Sequence, residues 1–306
     1  MNKIILFYKY ISIAYPHQIM KWQQQICINL ELVGRILISH EGINGTLAGS
    51  KSDIANYINL MSNHELFGDI DFKESDGDST CFPRLSIKVR NEAVSLGIPC
   101  DQLTAENGGQ HLTPQETHQL ITNAPEDLII FDARNMYEWE IGRFNNAVTP
   151  HIKNFRDLPK YLDDNSDMFK DKQVLMYCTG GIRCERASAY LNKKNVAKKI
   201  YQIKGGIHRY AEQYPDGFFR GKNYVFDGRI AVKITDDVLS TCTLCTKSCD
   251  DYHNCLNARC NKHFICCADC RERYNKTCSK ECDILISENK TMLRPAFNKI
   301  NLLYKE

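Results

Sequence analysis

Residues 177–187 read Tyr177-Cys178-Thr179-Gly180-Gly181-Ile182-Arg183-Cys184-Glu185-Arg186-Ala187, and this stretch decides the fold. Just before it, QVLMYC (173–178) is a short apolar run suited to a buried strand. Just after it a helical pattern begins near Ile182. A strand that delivers a residue into a glycine loop at the start of a helix is the layout of a parallel α/β sheet, where ligands gather beyond the carboxyl ends of the strands. Gly180 and Gly181 let the backbone turn so that successive N–H groups point inward. The helix start adds partial positive charge and Arg183 adds a full one. All of these favour a thiolate at Cys178, whose free pKa would be about 8.5. Cys178 is therefore the expected reactive group, with Thr179, Gly180, Gly181, Ile182 and Arg183 as its loop.

Working outward, LIIFDAR (128–134) and IYQIKGG (200–206) read as further buried strands with helical stretches between them. Thr113-Pro114-Gln115-Glu116 is a helix start, with threonine as N-cap, proline at the first position and glutamate closing a capping box. Residues 111–235 are thus expected to form one α/β domain. Residues 1–98 show strands at IILFYKY, GRILIS, NGTLAG and RLSIKVR, with helices at Pro16 to about Leu32 and at 51–62. The order β-α-β-β-α-β predicts a ferredoxin-like α+β domain. The polar stretch 99–110, punctuated by Gly108-Gly109, reads as a linker. Residues 236–306 form a cysteine-rich tail.

The chain has 306 residues, enough for two or three domains at roughly 150 residues each. No run approaches the roughly 20 apolar residues that span a bilayer, and the apolar start is broken by Lys9, so a membrane location and a signal peptide are not expected. Net charge is +2, which excludes a uniformly basic surface. Residues 183–233, however, hold 12 Lys+Arg against 4 Asp+Glu, with Phe218, Phe219, Tyr224 and Phe226 interleaved near the end. Lys193, Lys194, Lys198, Lys199, Arg220 and Lys222 are the RNA-binding candidates of that stretch. The turn at Ile43-Asn44-Gly45 is a second place where RNA can meet backbone groups.

Ten of the 15 cysteines lie between Cys242 and Cys282. Without a secretory signal the compartment is expected to be reducing and cytoplasmic, and such a cluster then reads as metal binding rather than disulfides. Cys242/Cys245, Cys255/Cys260, Cys267/Cys270 and Cys278/Cys282 are close pairs of the kind that share a tetrahedral zinc ion. Four pairs predict about two structural zinc ions per chain. By analogy with interleaved two-zinc modules, Cys242/Cys245 would join Cys267/Cys270, and Cys255/Cys260 would join Cys278/Cys282. Cys249 and Cys266 are then spare, and His253 and His263 are substitutes.

The spacing of Cys178 and Arg183 resembles the loop of the rhodanese superfamily, one residue shorter than the Cys-x5-Arg loop of cysteine phosphatases. Asp132-Ala133-Arg134 with Glu138 and Gly142 resembles its upstream signature. That resemblance implies that Asp132 caps its strand and that Arg134 pairs with Glu138. A more specific resemblance runs through ISHEGINGTLAG, FDARNMYEWEIGRF, CTGGIRCERASAYL, YQIKGGIHRY and GKNYVFDGRIAV. Together these resemble the rhodanese-domain tRNA uridine hydroxylases, which use dioxygen to form 5-hydroxyuridine at the wobble position, 34. The resemblance covers about residues 1–235, with the tail found in some members only. It implies tRNA, through its anticodon arm, as partner and dioxygen as co-substrate. The electron donor is left open, and no flavin, haem or nucleotide cofactor is implied. Cys178 would be the catalytic residue, Arg183 a receptor for phosphate or a developing oxyanion, and Cys184 a candidate to resolve an oxidised Cys178. The competing expectations are a sulfurtransferase carrying a Cys178 persulfide and a non-catalytic zinc-dependent RNA-binding module.

Overall fold

The computed structural model describes residues 2–77 and 79–295, so residues 296–306 of the expected tail lie outside the described residues. The N-terminal unit runs β1 (Asn2–Tyr10), α1 (Pro16–Asn29), β2 (Val33–Ser39), β3 (Gly42–Ser50), α2 (Lys51–Ser62), β4 (Lys73–Gly77) and β5 (Leu85–Val89). The sheet order is β4-β1-β3-β2-β5. Proline opens α1, and the Ser50 hydroxyl caps α2 by accepting from the Asp53 N–H at 3.1 Å. Ile5, Phe7, Ile36, Ile38 and Leu47 share a core with Ile26, Ile54, Tyr57 and Met61 from the helices.

RLSIKVR is not the closing strand of the ferredoxin-like motif. It is a fifth strand, parallel to β2 at the sheet edge. The closing strand is Lys73–Gly77, antiparallel to β1. Its sequence, KESDG, carries no apolar alternation because it is an edge strand held by backbone pairing.

The central unit comprises β6 (Gln110–Leu112), α3 (Pro114–Asn123), β7 (Leu128–Asp132), α4 (Met136–Trp139), β8 (Gly142–Phe144), α5 (Leu158–Asp164), α6 (Ser166–Phe169), β9 (Gln173–Tyr177), α7 (Ile182–Lys194), β10 (Lys199–Ile203) and α8 (Gly206–Gln213). β11 (Phe219–Tyr224) and β12 (Ala231–Lys233) follow. The main sheet is parallel in the order β6-β10-β9-β7. Both its faces are covered, which explains the unbroken apolar runs. Val174 and Met176 pack on one side with Ala187 and Leu191, and Leu175 and Tyr177 on the other with Ile207 and Tyr210. Thr113 and Glu116 form the expected capping box on α3. The stretch expected as a linker is packed down. Leu103 is buried in the central core, and the Gly109 N–H donates to Ser188 Oγ at 2.8 Å.

The tail holds β13 (Tyr252–Asn254), β14 (His263–Ile265), α9 (Ala268–Arg273) and α10 (Lys280–Ser287), and its interior is made largely of cysteine. It sits against the central unit through the Tyr252 hydroxyl, which donates to Glu140 at 2.6 Å, and through Lys222, which binds Asp250 at 2.7 Å and Asp251 at 2.8 Å. Among the described residues no helix is long and apolar enough to cross a membrane.

The N-terminal unit grips α7. Fully buried Arg186 donates to Glu41 and to the Ile98 carbonyl, each at 2.5 Å, and Tyr8 donates to Glu185 at 3.0 Å. The helix that follows the Cys178 loop is therefore tied to the N-terminal unit at two adjacent residues, Glu185 and Arg186.

Candidate active site

Cys178 follows β9, and α7 starts four residues later. Gly181 sits between them at φ 107°, a left-handed conformation that a side chain would strain, and its N–H donates to Cys178 Sγ at 3.2 Å. Leu6 and Tyr8 of β1 press on this turn. A methyl group built on Gly180 would meet Leu6 Cδ2 at 2.7 Å, and one on Gly181 would meet the Tyr8 hydroxyl at 2.6 Å. Gly181 is thus required by its backbone conformation, and at Gly180 a side chain would have to displace the end of Leu6.

Cys178 is fully buried. Burial alone would push its thiol up. The Cys184 thiol, the Arg183 guanidinium and the N–H groups of Cys184 and Gly181 outweigh that and bring it down to about 6. Cys184 moves the other way. Burial, and then donation to Cys178, hold its thiol well above the ordinary range. The pair is therefore a thiolate beside a protonated thiol near neutral pH.

The carboxylates and arginines behind the loop are paired differently from the expected scheme. Arg134 does not pair with Glu138. It folds back onto Asp132, with Nε to Oδ1 at 2.9 Å and Nη2 to Oδ2 at 2.7 Å, and donates to the Gly142 carbonyl at 2.6 Å. Asp132 also accepts from the Arg134 N–H at 3.0 Å. Two residues apart at a strand end, the pair closes locally and secures the start of β8. Glu138 instead takes Arg183, in two hydrogen bonds of 2.5 and 2.7 Å. Arg183 is buried and its charge is matched, so it props the loop and polarises Cys178 instead of offering a free anion site. Thr179 Oγ1 lies 3.3 Å from Arg183 Nη2 and 3.4 Å from the Tyr224 carbonyl, which ties the loop to β11.

A cleft of about 580 Å³ opens over Cys178, within the range of small-molecule and cofactor sites. Cys178, Thr179, Gly180, Ile182 and Arg183 line it together with Tyr8, Arg35, Asn44, Asn135, Arg156, Val225, Phe226, Asp227 and Arg229. The N-terminal residues were missed in the sequence reading, apart from Asn44 and its neighbour Gly45, which also lines the cleft. Their signal was present in β1, where Ile4, Leu6 and Tyr8 make the second face as apolar as the Ile5–Phe7 face, a sign that both are covered.

The six basic candidates are each engaged within the chain. Lys194 pairs with Asp163 at 2.7 Å, Lys198 with Asp127 at 2.9 Å, Arg220 with Asp237 at 2.6 Å, and Lys222 with Asp250. Lys193 donates to the Gln102 carbonyl at 3.1 Å, and Lys199 lies over the Tyr201 ring. The local charge excess is largely neutralised by acids from elsewhere in the chain.

In the tail, the thiols of Cys242, Cys245, Cys267 and Cys270 lie within 4.8 Å of one another, as do those of Cys255, Cys260, Cys278 and Cys282. Sulfur separations include 3.7 Å for Cys245–Cys267 and 3.5 Å for Cys260–Cys278. A tetrahedron with Zn–S bonds near 2.3 Å has S···S edges of about 3.8 Å, so both sets fit that ion. Cys249, Cys266 and His253 stand outside both sets. His263 is engaged elsewhere, stacked on Tyr252 and hydrogen-bonded to the Tyr224 hydroxyl at 3.2 Å.

Comparison with known proteins matches residues 2–93 to a UPF0176 acylphosphatase-like domain, 113–213 to a rhodanese-like domain and 220–283 to a rhodanese C-terminal region. A protein of Corynebacterium urealyticum named tRNA uridine(34) hydroxylase is 42% identical over 287 residues, covering 91% of this chain and 96% of its own. Relatives of the same name from Corynebacterium jeikeium and Acholeplasma laidlawii are 40% and 39% identical, covering 94% and 92% of this chain and 96% and 89% of their own. A solved structure from Rhodopseudomonas palustris, described as a possible tyrosine phosphatase, is 22% identical with a TM-score of 0.31, covering 36% of this chain and 84% of its own.

Proposed function

The chain belongs to the tRNA uridine(34) hydroxylase family, and from that premise we propose that it hydroxylates the wobble uridine of tRNA at C5, with Cys178 as the catalytic nucleophile. The observation that carries the reading is the thiolate-favouring Cys178 beneath a cleft of nucleotide size shared by two domains. Addition of a thiolate to C6 of uracil makes C5 electron-rich, which is what attack on dioxygen requires. One oxygen atom then goes to C5 and the other leaves as water, with two electrons and two protons from an external reductant; loss of the C5 proton and departure of the Cys178 thiolate from C6 restore the double bond and free the enzyme. The base must leave its stack to enter the cleft. Arg183 holds the loop through Glu138, and Asp132 with Arg134 holds the strand end. The two tail clusters take one zinc ion each, closed four-thiolate sites with a structural role. A cytoplasmic setting suits both the free thiols and the substrate.

The six-residue loop with inward N–H groups also favours a second reading, a persulfide carried on Cys178 for sulfur transfer. Purified protein given unmodified tRNA and a thiol reductant under ¹⁸O-labelled dioxygen separates the two. The first reading expects 5-hydroxyuridine carrying the heavy isotope. Label entering from water overturns the dioxygen route, and a thiolated nucleoside made from a sulfur donor favours the second.

A further inference from the structure

Eight ionisable residues line the cleft: Tyr8, Arg35, Arg156, Cys178, Arg183, His208, Asp227 and Arg229. Only one is a carboxylate, and it is already taken: Arg229 binds Asp227 through Nε at 2.9 Å and Nη2 at 2.6 Å, and reaches Ser75 and the Asp76 carbonyl on β4, each at 2.9 Å. Arg183 is taken by Glu138. Arg35 and Arg156 are exposed and, among the described residues, have no carboxylate partner. In a protein where most cations of the basic stretch are paired, two unpaired arginines at one cleft call for an anion from outside.

Their placement is built into the fold. On β2, Ile36 turns into the N-terminal core while Arg35 and Leu37 occupy the other face, opposite Thr46 and Asn44 of β3, all four lining the cleft. Arg156 comes from the central unit, in the turn Phe155–Asp157 that leads into α5. The nearest acid in sequence, Asp157, accepts from the Asn154 N–H at 3.1 Å and so serves the turn itself. Phe226 stands in the same lining, 47% exposed, with the Arg183 guanidinium 5.6 Å from its ring centroid.

We propose that Arg35 and Arg156, one from each domain, hold phosphates of the single-stranded anticodon loop on either side of the uridine, and that Phe226 stacks on an unpaired base. This rests on the reading that Cys178 acts on tRNA. A guanidinium matches phosphate with a planar fork of donors. A lysine already held by aspartate must give up that partner and leave a carboxylate facing the polyanion. The two arginines carry no such cost. A flipped base needs an aromatic face to replace its lost stacking, and a half-exposed phenylalanine backed by a cation supplies one.

The experiment is tRNA binding by the full-length protein, followed by anisotropy across a salt series, with unmodified tRNA as the probe. Arg35→Gln and Arg156→Gln should each flatten the log–log salt slope by about 0.7, the increment for one phosphate of a single strand. Phe226→Ala should weaken binding about tenfold with the slope unchanged, as loss of one stacked base does. Neutralising Lys193, Lys194, Lys198 and Lys199 together should change the slope less than Arg35→Gln alone. Unchanged thermal midpoints confirm that the variants are folded. If wild type binds and hydroxylates tRNA while both arginine variants keep its slope, the phosphate assignment is wrong and the functional reading stands. If the lysine set dominates, the RNA runs along α7 and β10 and the assignment also fails. If wild type neither binds nor hydroxylates tRNA, the functional reading itself fails.

Discussion

At the scale of single residues, the chemistry lies in the difference between two cysteines six positions apart. Cys178 is brought down to about 6 against its own burial, while Cys184 is held protonated beside it. The expected consequence is a Cys178 that alkylates with a half-maximal rate near pH 6, rather than at the roughly 8.5 of a free thiol. The tryptic peptide Gln173–Arg183 contains Cys178 and no other cysteine, so mass spectrometry reads it separately. Cys184→Ala removes a donor and should move the midpoint up. Cys184→Ser keeps a hydroxyl donor and should move it less. A midpoint near 8.5 in the wild type would show that burial wins. Much of this was legible in sequence, because glycines, a helix start and an arginine act locally. The partner of Arg183 was not. Whether Glu138 faces Arg134 or Arg183 depends on the turn of α4 against the loop, which residue spacing does not encode.

At the scale of elements, the tail shows how a segment of little apolar content reaches the active site. Its own core is cysteine, and it supports β11 through Tyr224, whose ring packs edge-on to Tyr137, Tyr252 and His263. The Tyr224 carbonyl faces Thr179, and the residues after it form a wall of the cleft. Elemental analysis of protein prepared without chelator should find about two zinc ions per chain, by the four-thiolate rule. Iron, or no metal, would contradict it. Stripping the metal should raise hydrogen exchange first in β13, β14, α9 and α10, then at β11, with β9 and α7 last, since only the tail takes its folding energy from metal. Simultaneous opening of all of them would mean that the tail is not a separate unit. The cysteine pairs were readable because thiolate spacing is local. β4 was not, because an edge strand of charged residues carries no alternating pattern, and its place is set by β1.

At the scale of the whole molecule, the site is a property of two domains. The N-terminal sheet supplies Tyr8, Arg35 and Asn44, and the loops and turns of the central unit supply Cys178, Asn135 and Arg156. Charge counted along the chain pointed to residues 183–233, but their partners Asp127, Asp163, Asp237 and Asp250 come from outside that window, where a running sum cannot see them. In the lining of the cleft, folding leaves two arginines, far apart in sequence, with no carboxylate partner among the described residues. If the cleft delivers a wobble uridine to Cys178, as proposed, position 34 of tRNA records it. The most direct measurement is the 5-hydroxyuridine content at position 34, by nucleoside mass spectrometry, of tRNA from cells lacking the gene and complemented with wild type or Cys178→Ser. The nucleoside is expected to return with wild type and to stay absent with Cys178→Ser at equal protein level. Restoration to wild-type levels by Cys178→Ser would contradict the proposal.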